Sequence, residues 1–210
     1  MSDAAGFGDV PTTTIGDLLA REQFMDIGIK SLWGAGSGTP RLVGPAYPVR
    51  CVENDNLMLH AAIYRAAPGS VIVVESGDLN YALAGGNVCA IAHRRGVAGF
   101  VLDGLVRDIG EVRELGFPVY GRGVIPKPGG KSRAIPLGQP VICGGVVVHQ
   151  GDVIVADEDG VAVVPAARAA EVLADARARL AKEAAETLDE WEAAHHARVE
   201  KLLAEQGFGD

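Results

Sequence analysis

Arg107 and Asp108 stand side by side in the stretch DGLVRDIGEV, Asp103 to Val112, directly after the apolar run VAGFVL. A guanidinium offers a rigid fork of donors that matches a carboxylate two bonds at a time. A carboxylate beside it does not bind the same anion and is free to hold a cation. The pair therefore has two readings. One is a surface ion pair in a loop, worth less than about 1 kcal/mol. The other is a site where Arg107 takes an anion and Asp108 takes a metal ion that bridges to the same ligand.

A second group of residues favours the site. Gly85 and Gly86 precede Asn87 at a predicted helix start. Glycines let an anion approach the backbone, and the first N–H groups of a helix point outward with partial positive charge. The backbone of Gly85, Gly86, Asn87 and Val88 is thus a candidate carboxylate or phosphate cradle, although a plain glycine turn reads the same way. In a β-helix-β unit, loops after successive parallel strands lie at one sheet edge. That topology would bring the cradle to Arg107.

One carboxylate is a sparse metal shell. It suits Mg2+ or Mn2+, which keep several waters and take oxygen from substrate, better than zinc. The five histidines, His60, His93, His149, His195 and His196, form neither HxH nor HExxH. The five lysines lie in loops or charged helical contexts, apart from Lys30 beside apolar residues, so a Schiff-base lysine in an apolar pocket is not expected. Cys51, Cys89 and Cys143 are odd in number and widely spaced. They read as buried, inert thiols in a reducing cytoplasm.

The bulk properties narrow the partners. The formal net charge of −8 over 210 residues argues against nucleic acid, which needs concentrated Lys and Arg. It leaves room for a small anion, since one local arginine outweighs a diffuse negative field. No signal-like block opens the chain, and no stretch of about 18 apolar residues predicts a membrane span.

The elements that must position these residues alternate in type. Residues 1–11 read as a frayed arm. TTTIGDLLARE reads as a short helix capped by Thr13 or Thr14. The Gly- and Pro-rich segment that follows reads as a loop, with a short strand near Val49 to Val52. NDNLMLHAAIYRAAPGS predicts a helix closed by Pro68-Gly69, and VIVVE a buried strand. A short helix or turn around Leu79 to Leu83 leads to the glycines, then to a helix from Asn87 to Gly96. VAGFVLD is the next strand, IGEVRELG a short helix and FPVYGRG a short strand. After a long loop, VICGGVVVHQGDVIVADEDGVAVVP reads as short strands joined by Gly and Asp-Gly turns. From about 166 to 205, apolar residues recur every three or four positions and predict one long amphipathic helix with room for a kink. The whole, 1–210, reads as a single domain of mixed α and β.

The segment Gly85 to Gly123, and GGVVVHQGDVIVADEDGVAVVP from Gly144 to Pro165, resemble the RraA-like family. That family contains 4-hydroxy-4-methyl-2-oxoglutarate and 4-carboxy-4-hydroxy-2-oxoadipate aldolases together with RraA-type ribonuclease regulators. The likeness is read from about Asn56 to the C-terminal helix; RLVGPAYPVRC lies outside it. It implies an α/β fold, a β-rich layered sandwich of the swivelling phosphohistidine-domain type with a long C-terminal helix. It implies a homotrimer or homohexamer with sites between subunits. It implies metal-dependent retro-aldol cleavage of a 4-hydroxy-2-oxo diacid or triacid to pyruvate and a second keto acid, with oxaloacetate decarboxylation as a side activity.

By motif match, Arg107 would bind the pyruvate carboxylate, Asp108 would hold Mg2+ or Mn2+, and Gly85 to Val88 would hold the pyruvate unit through their backbone. Many relatives carry an acid at the position of Gly86, and this chain does not. Glu183, with Glu186 second, would be lent from the next subunit's C-terminal helix. The regulators usually lack the aspartate of the Arg-Asp pair, so its presence favours an enzyme. A non-catalytic regulator that binds protein, or another metal-assisted enolate reaction, are the alternatives. Arg122, Arg133 and His149 are candidates for a distal carboxylate.

Overall fold

The computed structural model describes residues 4–33 and 38–208. A 3-10 turn at Ala4–Phe7 leads to α1 (Thr12–Gly16), β1 (Lys30–Ser31), β2 (Leu42–Arg50), α2 (Leu57–Ala62) and β3 (Val71–Glu75). Then come β4 (Ala82–Ala84), α3 (Gly86–Arg94), β5 (Gly99–Val106), α4 (Ile109–Leu115) and β6 (Val119–Val124). The remainder is β7 (Val141–Cys143), β8 (Val146–Val148), β9 (Val153–Asp157), β10 (Gly160–Val164), α5 (Ala169–Ala185) and α6 (Leu188–Glu205).

The main sheet runs β1-β6-β5-β3-β2-β9-β10, with β4 paired to β5 off that path. Strands β2, β3, β5 and β6 are parallel, while β1, β9 and β10 join antiparallel. Its two ends approach each other: Met25, just before β1, donates its backbone N–H to the Val161 carbonyl in β10 at 3.0 Å. Strands β7 and β8 form a separate hairpin.

Period-two alternation sorts the core. From β3, Ile72 and Val74 face Leu59, Cys89, Phe100 and Val112 beneath helices α2, α3 and α4. Val71 and Val73 face Tyr120, Val141, Val148 and Ile154 on the hairpin side. A third cluster packs Phe7, Val10 and Ile15 against Val155, Val164, Val172 and Leu173 of α5. No helix among the described residues is long and apolar enough to cross a membrane.

Several local expectations change. The described part of the N-terminal arm is anchored, because Ala4, Phe7 and Val10 are buried in the third cluster; residues 1–3 lie outside the described residues. Helix α1 is only five residues long and its N-cap is Pro11, without a side-chain cap. Part of the Gly-rich loop, residues 34–37, also lies outside the described residues.

Strand β2 is nine residues long and starts well before Val49, despite two prolines. It changes neighbours midway. Leu42–Pro45 pair with β9, and Ala46–Arg50 pair with β3. Each half thus needs a full ladder on one side only, which lets a strand carry prolines. Gly44 is required there, since a Cβ would collide with the Gly69 carbonyl oxygen.

The stretch around Leu79 to Leu83 is no helix. A turn leads into β4, whose residues are all buried. Strand β5 runs on to Val106, so Asp103 lies inside it and does not end it. Asp103 is held there by Arg122 of β6 and by the N–H of Gly144, at 2.9 Å. The C-terminal segment is two helices. The break falls at Glu186-Thr187, where Thr187 and Glu190 form a reciprocal capping box that starts α6 afresh.

Candidate functional site

The sequence candidates Gly85, Gly86, Arg107 and Asp108 lie where β4 and β5 end together. These strands are parallel, with Ala84 opposite Val106. The next residue on one strand is Gly85 and on the other Arg107, and the Arg107 N–H donates to the Ala84 carbonyl at 2.9 Å. The two loops foreseen from sequence therefore meet at one sheet edge, and they do so because β4 takes over from β3 alongside the last residues of β5.

Helix α3 starts without a side-chain cap of its own. Its first ladder bond is Cys89 N–H to the Gly85 carbonyl, at 3.0 Å. The N–H groups of Gly86, Asn87 and Val88 precede that bond and lie outside the helical ladder. One of them is met from across the edge: Gly86 N–H donates to Asp108 Oδ2 at 3.2 Å. A carboxylate at a helix N-terminus also suits the helix dipole. Asp108 thus caps α3 with its side chain while it opens α4 with its backbone, in the left-handed region at φ 55°.

Arg107 Nε lies 3.5 Å from Asp108 Oδ2, and the two side chains are 43% and 39% exposed. They converge and stay open to solvent. Gly85 allows this, because a Cβ there would collide with Asp108 Oδ2 and lie 2.9 Å from Arg107 Cγ.

Behind Arg107 is a small chamber of about 40 Å3, lined by Asn56, His60, Gly85, Val88, Arg107 and Lys131, among others. Asn56 and His60 come from the start of α2. Lys131 comes from the long loop before β7. Asp55 fastens that loop down: its carboxylate accepts from Leu57 N at 2.9 Å, Ser132 N at 2.6 Å, Ser132 Oγ at 2.9 Å and Arg133 N at 3.2 Å. Burial opposes ionisation of Asp55, but these bonds prevail and hold it below the ordinary carboxylate value. Gly129 lets the loop pass close to Tyr81, whose ring a Cβ would strike. Burial, then the Lys131 ammonium, hold the His60 imidazole below its usual range.

The other sequence candidates fall elsewhere. Glu183 lies on α5, exposed, with Oε1 2.8 Å from Arg179 Nε. It lines a separate cavity between α5 and α6 with Arg179, Glu186, Trp191 and His195, which includes no member of the Arg107 cluster. Arg122 is engaged by Asp26 and Asp103, and His149 faces Asp152. Lys30 is exposed on a two-residue strand, which removes the apolar surroundings a Schiff-base lysine needs.

All three cysteines are buried. Burial pushes the thiol of Cys51 up to about 11, and burial with the nearby Asp108 pushes that of Cys89 up to about 12. Sequence reading missed Asn56, His60 and Lys131 as neighbours of Arg107. Only the run NDNLMLH, with three polar side chains beside a helix start, hinted at them.

No group of three or more His, Cys, Asp or Glu side chains placed to hold a metal occurs among the described residues. Asp108 remains, exposed and at the mouth of the glycine cradle. That donor set fits a hard divalent cation completed by water and ligand oxygens, and does not fit zinc.

Comparison with known proteins finds relatives over most of the chain. A Halalkalibacterium halodurans protein, provisionally named a 4-hydroxy-4-methyl-2-oxoglutarate aldolase, is 38% identical over 180 residues, covering 85% of this chain and 84% of its own. The 4-hydroxy-4-methyl-2-oxoglutarate aldolase of Thermus thermophilus is 32% identical over 155 residues, 73% of this chain and 92% of its own. Among solved structures, Streptomyces coelicolor RraAS2, described as an unusual member of the RNase ES inhibitor RraA family, superposes with a TM-score of 0.72. It is 28% identical, over 93% of this chain and 96% of its own. The family match also reaches further toward the N-terminus than the motifs alone indicated, taking in the segment RLVGPAYPVRC. The sequence model described as Aldolase/RraA spans residues 11–163, and the chain belongs to the RraA-like family.

Proposed function

We propose that this chain is a divalent-metal-dependent pyruvate aldolase. It cleaves a 4-hydroxy-2-oxo diacid or triacid to pyruvate and a second keto acid, and it decarboxylates oxaloacetate as a side reaction. The observation that carries the reading is the meeting of Arg107, Asp108 and the free N–H groups of α3 at the paired ends of β4 and β5. The names of the relatives support the lyase class.

In the reaction the C3–C4 bond breaks. The C4 hydroxyl gives up its proton and becomes a carbonyl, the bonding electrons pass to the 2-oxo group, and the enolate formed is protonated at C3 to pyruvate. The Arg107 fork and the N–H groups of Asn87 and Val88 orient the C1 carboxylate. Asp108 would hold Mg2+ or Mn2+, with its Oδ2 already fixed by Gly86 N–H. The bound ion would supply Lewis-acid stabilisation of negative charge on the 2-oxo oxygen.

The same reading takes the active assembly as a homotrimer or homohexamer, in which Glu183 of one subunit faces the cradle of the next. Each subunit is one domain of the swivelling phosphohistidine type, working in the cytoplasm.

The test is pyruvate release from oxaloacetate and from 4-hydroxy-2-oxo acids, with Mg2+ or Mn2+ and then with a chelator. Metal-dependent release that disappears in Asp108→Asn supports the aldolase. Silence with every 2-oxo diacid overturns it. The structural likeness to RraAS2 and to the RNA-processing inhibitor RraA from Thermus thermophilis, which is 30% identical over 75% of this chain with a TM-score of 0.67, favours a regulatory protein as the second reading. Such a protein would bind a protein partner and show no metal-dependent release of pyruvate.

A further inference from the structure

Helix α4 opens with two acids that do not cap it. Asp108 is its N-cap and Glu111 stands three residues on, a spacing that puts both on one face. At the start of α6 the residues in the same two positions, Thr187 and Glu190, each accept the other's backbone N–H. Helix α4 has no such side-chain cap. Both carboxylates turn instead to Gly86, the first residue of α3. Asp108 Oδ2 accepts the Gly86 N–H at 3.2 Å. Glu111 Oε2 stands where the side chain of residue 86 would begin, and the three atoms nearest to that place all belong to Glu111. Glu111 is exposed, and no cationic side chain among the described residues pairs with it.

Two acids beside one anion cradle oppose each other and the anion. In the proposed reaction the N–H groups at this end of α3 take the carboxylate of the substrate, and a third carboxylate is repelled by the first two. A divalent cation among them is the largest local charge and reverses that sign. Mg2+ and Mn2+ are held by one or two protein carboxylates, with water and ligand oxygens completing the shell. We infer that Glu111 is the second carboxylate of the divalent-ion site, joining Asp108 across Gly86, and that glycine at position 86 makes the room for it.

This rests on the metal-dependent aldolase reading and deepens it, by adding a residue of α4 to the surroundings of the ion. Gly86 has no left-handed backbone conformation that would call for glycine. What its missing side chain provides is space, and Glu111 fills that space. The opposing reading is a glutamate that only complements the positive end of α4. Such a residue adds to stability and is indifferent to the ion.

The experiment measures Mn2+ binding to the full-length protein with saturating pyruvate, from the electron paramagnetic resonance signal of the free ion, so that it does not depend on turnover. The unaltered protein is expected to bind Mn2+, and Asp108→Asn to lose it. Glu111→Gln, close in shape, is expected to weaken binding by about tenfold or more, as loss of a group that supports a bound ion does, with the melting temperature unchanged. Moving the acid tests its place: Glu111→Ala with Gly86→Asp is expected to bind Mn2+ more tightly than Glu111→Ala alone. If the double variant does not fold, Glu111→Gln decides alone. Weakening in Glu111→Gln that falls short of about tenfold, or a double variant that binds no more tightly than Glu111→Ala, overturns the role of Glu111 and leaves the aldolase reading standing. Absence of Mn2+ binding to the unaltered protein, or undiminished binding in Asp108→Asn, overturns both.

Discussion

The carboxylate of Glu111 fills the space in which a side chain at position 86 would begin: a Cβ on Gly86 would collide with Glu111 Oε2 and lie 3.0 Å from its Cδ. The sequence leaves position 86 without an acid, yet an acid from the first turn of α4 stands over it. Glu111 is exposed, so its end can swing away. Gly86→Ala is expected to change stability by less than about 1 kcal/mol in urea titration. Gly85→Ala meets the fixed stem of Arg107 and displaces Asp108, and should lower pyruvate release by about tenfold or more, as small misplacements of positioned groups do.

Arg107 and Asp108 are both partly exposed, so their ion pair contributes little to the fold. Their replacement should separate function from stability. Arg107→Ala and Asp108→Asn are expected to reduce kcat/KM by about 100-fold or more. The melting transition should move little, and Asp108→Asn retains an acceptor for Gly86 N–H.

Asp55 links pH to the loop that carries Lys131. Its folded-state pKa lies below the unfolded value, so its contribution is fully present above the ordinary carboxylate range and is lost as pH falls through the folded value. Stability should therefore decline on acidification below about pH 4, and the decline should be shallower in Asp55→Asn. At neutral pH, Asp55→Ala leaves the donors of Leu57, Ser132 and Arg133 unmatched and should cost about 3 kcal/mol. Hydrogen exchange should show residues 130–133 released first.

Thiol chemistry offers a simple check of the core. Cys51, Cys89 and Cys143 are buried, and burial raises all three thiols, so the thiolate is scarce at neutral pH. A disulfide reagent at pH 8 should modify the native protein slowly and all three cysteines at once in denaturant. Rapid modification of Cys89 would mean that the face of α3 beneath the site opens.

The site was legible where local pattern and handedness suffice. Glycines before a helix, a β-branched run on either side and a charged pair after the second run place Gly85 and Arg107 at one edge, because parallel strands separated by a helix end on the same side. Asp103 was misread because an acid after an apolar run looks like a strand end. Arg122 and the Gly144 N–H, distant in sequence, let β5 continue through it. The prolines of β2 hid a strand that answers to two different neighbours. The chamber was out of reach for the same reason: Asn56, His60 and Lys131 meet Arg107 only through tertiary bonds such as those of Asp55.

Asp108 occupies a left-handed backbone conformation that favours glycine. Asp108→Gly should relax the junction and, despite the lost cap on α3, leave the protein as stable as before or more so by up to about 1 kcal/mol. It would also delete the carboxylate. Selection for thermal robustness alone would therefore drift toward glycine at this junction. A library screened only by melting temperature should recover glycine here first, and on the proposed reading those chains lose the carboxylate that would hold the metal.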